Sequence, residues 1–209
     1  MQPQHDNAEH GGSLGIERIA AFSDGVIAII ITIMVLELKL PEAASHGPVW
    51  PSFLEPLAPK LAIYALSFAI VGTMWVNHHE LLAVVRHASP QLLWMNLLLL
   101  FFMSLIPLAT SFLGEHPNVP RAVSFYALVM ALSSGVFGLL RYHLGRLPEH
   151  DRGHIVFRTA TLIRSFVSTL LYATAAVAAP FSPLAGLLLL VFVPVMFNLP
   201  MLFRRKASA

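Results

Sequence analysis

Long apolar blocks, separated by short polar or proline-bearing stretches, run through almost the whole chain. A helix needs about 20 apolar residues to cross the hydrocarbon core of a bilayer. Six blocks come close, at about 19–38, 57–85, 92–113, 122–140, 160–180 and 184–203. The second is long, and 61–76 within it is uncharged. The fifth is short and rich in Ala, Ser and Thr, a composition that suits close helix packing better than lipid exposure. Pro41, Pro59, Pro90, Pro120, Pro180 and Pro183 fall at the ends of blocks, where a residue without an amide hydrogen ends or prevents a helix. Pro107 and Pro194 fall inside blocks, where a kink is tolerated if neighbours satisfy the freed carbonyls. The pattern predicts an all-α membrane protein with six transmembrane helices over 16–204, a disordered tail at 1–15 and a basic tail at 205–209. The loops are short, no internal repeat is visible, and no segment is large enough for a second, soluble domain.

Composition agrees. Of 209 residues, 56% are hydrophobic and 11% are charged, against about 25% charged in an ordinary soluble domain. The first residues lack the basic start and short apolar run of a signal peptide. There is no cysteine, which excludes disulfides, thiolate metal sites and cysteine nucleophiles. A net charge of +2 is too small to imply a nucleic-acid partner. The placement of charge says more than its sum. With six spans, Arg18, Arg86, Arg141, Arg146, Arg152, Arg158, Arg164, Arg204, Arg205 and Lys206 share one side, and Lys39, Lys60 and Arg121 the other, a division of the 13 basic residues that puts both termini in the cytoplasm of a cell (inner) membrane.

Asp24 is the clearest anomaly, because a carboxylate inside an apolar block is costly unless paired or wetted. It is either a helix N-cap with Ser23 or a group held by polar partners on other helices, and the second reading is preferred. His78, His79 and Asn96 lie at similar depth in the second and third blocks. Together with Arg18, Ser23 and Asp24 they form a plausible network that sets how three helices pack. No metal site is expected at His78 and His79, since adjacent residues on a helix point about 100° apart. Further along the first block, Ile29, Ile33 and Leu36 fall on one helical face with Thr32 beside them. Taken alone, that stripe reads as lipid-facing or core packing.

Arg18, then Phe22-Ser23-Asp24 after three intervening residues, resembles the signature of the transmembrane protein 175 family of potassium channels. The likeness continues to Pro41, through Trp75-x-x-His78-His79, and through Trp94-x-Asn96 to Pro107. The single set of spans is similar to the bacterial form of the family. The resemblance implies a homotetramer whose pore is lined by the first helix. Its constriction would be Ile29, with Ile33 and Leu36 as further rings, and Thr32 would be a hydroxyl layer favouring potassium. Arg18, Phe22, Ser23, Asp24, Trp75, His78, His79 and Asn96 would hold the helices together. Potassium would be the permeant ion, with no cofactor and no enzymatic activity. The chain has no Thr-Val-Gly-Tyr-Gly filter, so only a modest preference for potassium over sodium is expected. The competing readings are a proton-coupled transporter using Asp24 with His78 or His79, an intramembrane enzyme or haem protein, and a purely structural membrane protein.

Overall fold

A computed structural model describes residues 6–38, 54–147 and 159–204. Among the described residues the regular elements are helices: α1 (Asp6–Leu36), α2 (Leu54–Leu82), α3 (Pro90–Ser104), α4 (Ile106–Glu115), α5 (Pro120–Gly145), α6 (Thr159–Ala178) and α7 (Pro183–Arg204). Residues 1–5 and 205–209 of the expected tails lie outside the described residues.

In α1, Ile16, Ile19, Ser23, Ile27, Ile30 and Met34 are buried, a spacing of three and four that makes one continuous face. The helix begins at Asp6, so residues 6–15, expected as disordered tail, are helical. No proline interrupts this stretch, and extending a helix already nucleated by packing costs little per residue. α2 also departs from expectation. Pro59, read as a boundary, lies inside it. Pro59 is the sixth residue of α2, past the free amides of the helix start, so it removes one bond, to the Glu55 carbonyl, and the remaining bonds carry the helix through. At the other end α2 stops at Leu82, and the expected extension to 85 is a turn closed by Val85 N donating to Leu82 O at 3.0 Å.

The third block is one span made of two helices. Ser89 caps α3 by accepting from the Leu92 amide at 3.2 Å, with Pro90 in the first turn. The expected kink at Pro107 is a break at Leu105, since Pro107 cannot donate to the Met103 carbonyl and its ring crowds that carbonyl. The Leu105 amide turns back to Phe102 O at 3.2 Å, and α4 resumes with Ala109 N on Leu105 O at 3.0 Å.

α5 is the most enclosed span, with 67% of its most apolar stretch buried, against 11% for α6. It packs on α3, α4, α6 and α7, while α1 packs on α2, α3 and α4. Gly15–Leu36, Leu57–Leu82, Pro90–Glu115, Pro120–Gly145 and Thr161–Ala178 are long and apolar enough to cross a membrane, five among the described residues. The sixth expected block coincides with α7, whose described apolar part, Pro183–Met196, is shorter.

α7 comes close to the bundle at Gly186. A β-carbon there would lie 2.8 Å from Val123 Cγ1, 3.1 Å from Ala179 Cβ and 3.3 Å from the Ala175 carbonyl oxygen. Gly186→Ala is expected to cost about 1–3 kcal/mol through overpacking and to lower the thermal midpoint of the purified protein in detergent. Gly72→Ala, whose β-carbon meets nothing within 4 Å, should leave the midpoint unchanged or raise it. Equal midpoints for the two variants would show that α7 is not held this closely.

Candidate functional site

Ser23 faces the interior of the bundle from the buried side of α1 and is fully enclosed. Its hydroxyl donates to Ile19 O at 2.8 Å, which leaves the oxygen free to accept from Asn96 Nδ2 at 2.9 Å. The Asn96 carbonyl oxygen faces His78 Nε2 at 2.7 Å, so that ring nitrogen carries the proton. Three buried side chains on α1, α2 and α3 therefore close on one another through a single carboxamide. Each such bond contributes about 0.5–1.5 kcal/mol net, but an orphaned partner costs about 1–3 kcal/mol.

Asp24 is next along α1, half-buried, and lies within the helix rather than at its start. It does not act as an N-cap. Its Oδ1 accepts from Trp75 Nε1 at 2.8 Å, which ties α1 to α2 a second time. The Trp75 ring lies 6.2 Å from that of His79, one turn along α2. The two histidines diverge as neighbours on a helix must: His78 is buried against Asn96 and His79 is exposed. Arg18 and Phe22 are exposed, and the bonds of this network among the described residues do not include them. The expected network is thus brought together at Ser23, Asp24, Trp75, His78 and Asn96, and not at Arg18.

The opposite face of α1 is open. Ile29 is 56% exposed, Ile33 41% and Leu36 78%, with Phe22 continuing the stripe towards the helix start. Thr32 is exposed beside them, and its Oγ1 is 3.0 Å from both Ala28 O and Ile29 O. Beside the stripe runs a groove of about 340 Å³ between α1 and the α3–α4 break, lined by Ile29, Ile33, Glu37, Ser104, Pro107 and Leu108.

Two polar features were not read from the sequence. Thr110 Oγ1 donates to Ser67 Oγ at 2.8 Å, and Ser67 Oγ pairs with Tyr126 OH at 2.9 Å, linking α4, α2 and α5. Lone hydroxyls in apolar blocks were the only available signal. Arg141, which falls just past the end of the fourth apolar block at 140, is instead in α5 and 8% exposed. Its guanidinium lies 5.1 Å from the centroid of the Phe137 ring one turn earlier, and its Nη2 donates to Asn77 Oδ1 at 3.5 Å. The i, i+4 spacing of Phe137 and Arg141 was the missed cue.

The sequence profile described as endosomal/lysosomal potassium channel TMEM175 matches residues 18–107. A protein of Chryseobacterium sp. (strain P1-3), named as a potassium channel, is 38% identical over 155 residues, which cover 74% of this chain and 78% of that protein. Another of that name from Streptomyces collinus is 38% identical over 133 residues, 62% of this chain and 64% of the relative's own length. Among solved structures, the crystal structure of a lysosomal potassium-selective channel TMEM175 homolog from Chamaesiphon minutus superposes with a TM-score of 0.75 at 30% identity, covering 88% of this chain and 97% of that one.

Asn96→Ala removes the partner shared by Ser23 and His78. It is expected to destabilise the bundle by about 1–3 kcal/mol for each orphaned group, read as a fall in thermal midpoint. Trp75→Phe removes a bond at an exposed position and should cost less. The reverse order would show that the Asp24–Trp75 bond, not the buried triad, is the stronger tie.

Proposed function

The chain belongs to the TMEM175 family, and we propose that it is a potassium-permeable channel through which ions pass passively. In this reading four copies assemble around a central pore lined by α1. Each copy crosses the cell (inner) membrane six times, α7 being the last span, with both termini in the cytoplasm. The observation that carries the reading is the two-sided character of α1. One face is buried against α2, α3 and α4, and the other shows Ile29, Ile33 and Leu36. Helices pack about 8–10 Å apart, so four around an axis leave a channel that isoleucine side chains nearly fill. Such a ring can lose its water and block ions, and a modest outward movement or a rotamer change opens it.

Ile29 is the constriction in this reading, Ile33 and Leu36 are the rings beyond it, and Thr32 is the hydroxyl layer that favours potassium. Discrimination against sodium is modest because no carbonyl filter sequence is present. The proton-coupled transporter is not favoured: His78 is committed to Asn96 and Asp24 to Trp75, so the two titratable groups do not share a bond. The relatives compared above are named as channels.

Potassium flux into liposomes carrying the purified protein tests this. Wild type should conduct. Ile29→Asn, which wets the constriction, should raise flux by about tenfold, the equivalent of about 1.4 kcal/mol of barrier, with poorer discrimination against sodium. A silent wild type together with an Ile29→Asn variant that behaves identically would remove α1 from the pore.

A further inference from the structure

A cavity of about 140 Å³ lies among α2, α5, α6 and α7, and no residue of α1 lines it. That is several times the share of one water in the liquid, about 30 Å³. Two arginines, Arg141 and Arg164, line it. Arg141 is more than nine-tenths buried, and among the described residues its Nε has no hydrogen-bond partner. Its Nη2 reaches Asn77 Oδ1 at 3.5 Å, the outer limit of a bond, and the Phe137 face supplies a weak further attraction. Among the described residues, the carboxylate whose field reaches Arg141 belongs to Glu80, and Glu80 is exposed. A buried cation with an unused donor, sharing a cavity with a second cation, is costly as it stands. An anion between them would offset that cost.

The surroundings point to the kind of anion. Ser165 and Ser168 add hydroxyls to the arginine end of the cavity, while Val193 and Tyr172 make its remaining wall largely apolar. A polar end with two cations and an apolar wall suits an amphiphile: a phosphate among the guanidinium groups and hydrocarbon along the helices. The distribution of basic residues puts this end of α5 and α6 at the cytoplasmic leaflet, which carries anionic phospholipid and where basic pockets between spans hold headgroups.

We propose that this cavity is a binding site for a phosphate group, presented by the headgroup of an anionic phospholipid and held by Arg141 and Arg164. The Arg141 Nε donor faces the phosphate, Arg164 closes over it from α6, and the acyl chains leave along α7. Through Asn77 the bound headgroup lies one residue from His78, and so one residue from the buried triad that fixes α1.

The test uses the purified full-length chain in neutral detergent, titrated separately with dioctanoyl-phosphatidylglycerol, dioctanoyl-phosphatidylcholine and inorganic phosphate. Thermal midpoint is the readout, and it does not depend on the pore assignment. Phosphatidylglycerol should raise the midpoint saturably and phosphatidylcholine should not. Arg164→Gln, at a half-buried position, should weaken the phosphatidylglycerol affinity about tenfold, the loss of one charge-assisted bond. Arg141→Gln should do at least as much if it folds, and Arg121→Gln, an exposed arginine at the opposite end of α5, should change nothing. If inorganic phosphate alone reproduces the shift and Arg164→Gln abolishes it, the phosphate site stands and its source is the free anion. Equal shifts with the two lipids, or an Arg164→Gln variant that binds phosphatidylglycerol like wild type, would overturn the proposal.

Discussion

One carboxamide decides how α1 sits on the bundle. Within hydrocarbon, apolar side chains gain little by choosing a protein neighbour over a lipid tail, so helix association rests on packing fit and on polar bonds. Asn96 supplies two such bonds at once, to Ser23 on α1 and to His78 on α2. Rotating α1 by one residue about its axis would turn Ser23 away and leave the Asn96 amide nitrogen without that acceptor. The rotation of α1 in turn settles which of its residues are buried and which face outward, and so everything proposed for the open stripe follows from that one contact.

The rest of the bundle repeats the device at other depths. Asp24 and Trp75 add a bond beside the triad, and Ser67, Thr110 and Tyr126 join α2, α4 and α5. Ser134 and Thr169 pair between α5 and α6 at 3.1 Å, and Ser124 donates to Ala176 O at 2.9 Å across the same pair of helices. These bonds accompany small residues that let backbones come close, Gly135 and Gly138 facing Thr169 and Ser165. α5 is the hub of this arrangement and α1 is a satellite on α2, α3 and α4. A helix held at a few discrete points can shift as a unit more readily than one enclosed on all sides.

The long apolar blocks were legible because lipid demands length, and length is visible in sequence. That Asp24 is held by another helix was legible because an intramembrane carboxylate must be satisfied somewhere; that its partner is Trp75, and not His78 or Asn96 at a similar depth, was not. What escaped notice depends on geometry that periodicity does not carry. Pro59 looked like a stop but lies in the second turn of a long helix, which carries through the loss of one bond. Residues 6–15 looked like a tail because composition weighs more than the low cost of extending an existing helix. Arg141 looked like a loop cation because its charge outweighs its long apolar stem in any hydropathy sum, whereas in the fold its guanidinium lies over the Phe137 ring. Arg18 shared the depth of the network but points outward.

Thr32 carries a last consequence. Its hydroxyl proton is engaged by the carbonyls of Ala28 and Ile29 within its own helix, so it has no proton to offer outward. What the open face of α1 presents at that level is a lone pair. Hydrocarbon makes no use of a lone pair, whereas water and a partly dehydrated cation both do. At this one turn the otherwise oily face of the helix has a sign, and it is the sign that welcomes positive charge and turns anions away.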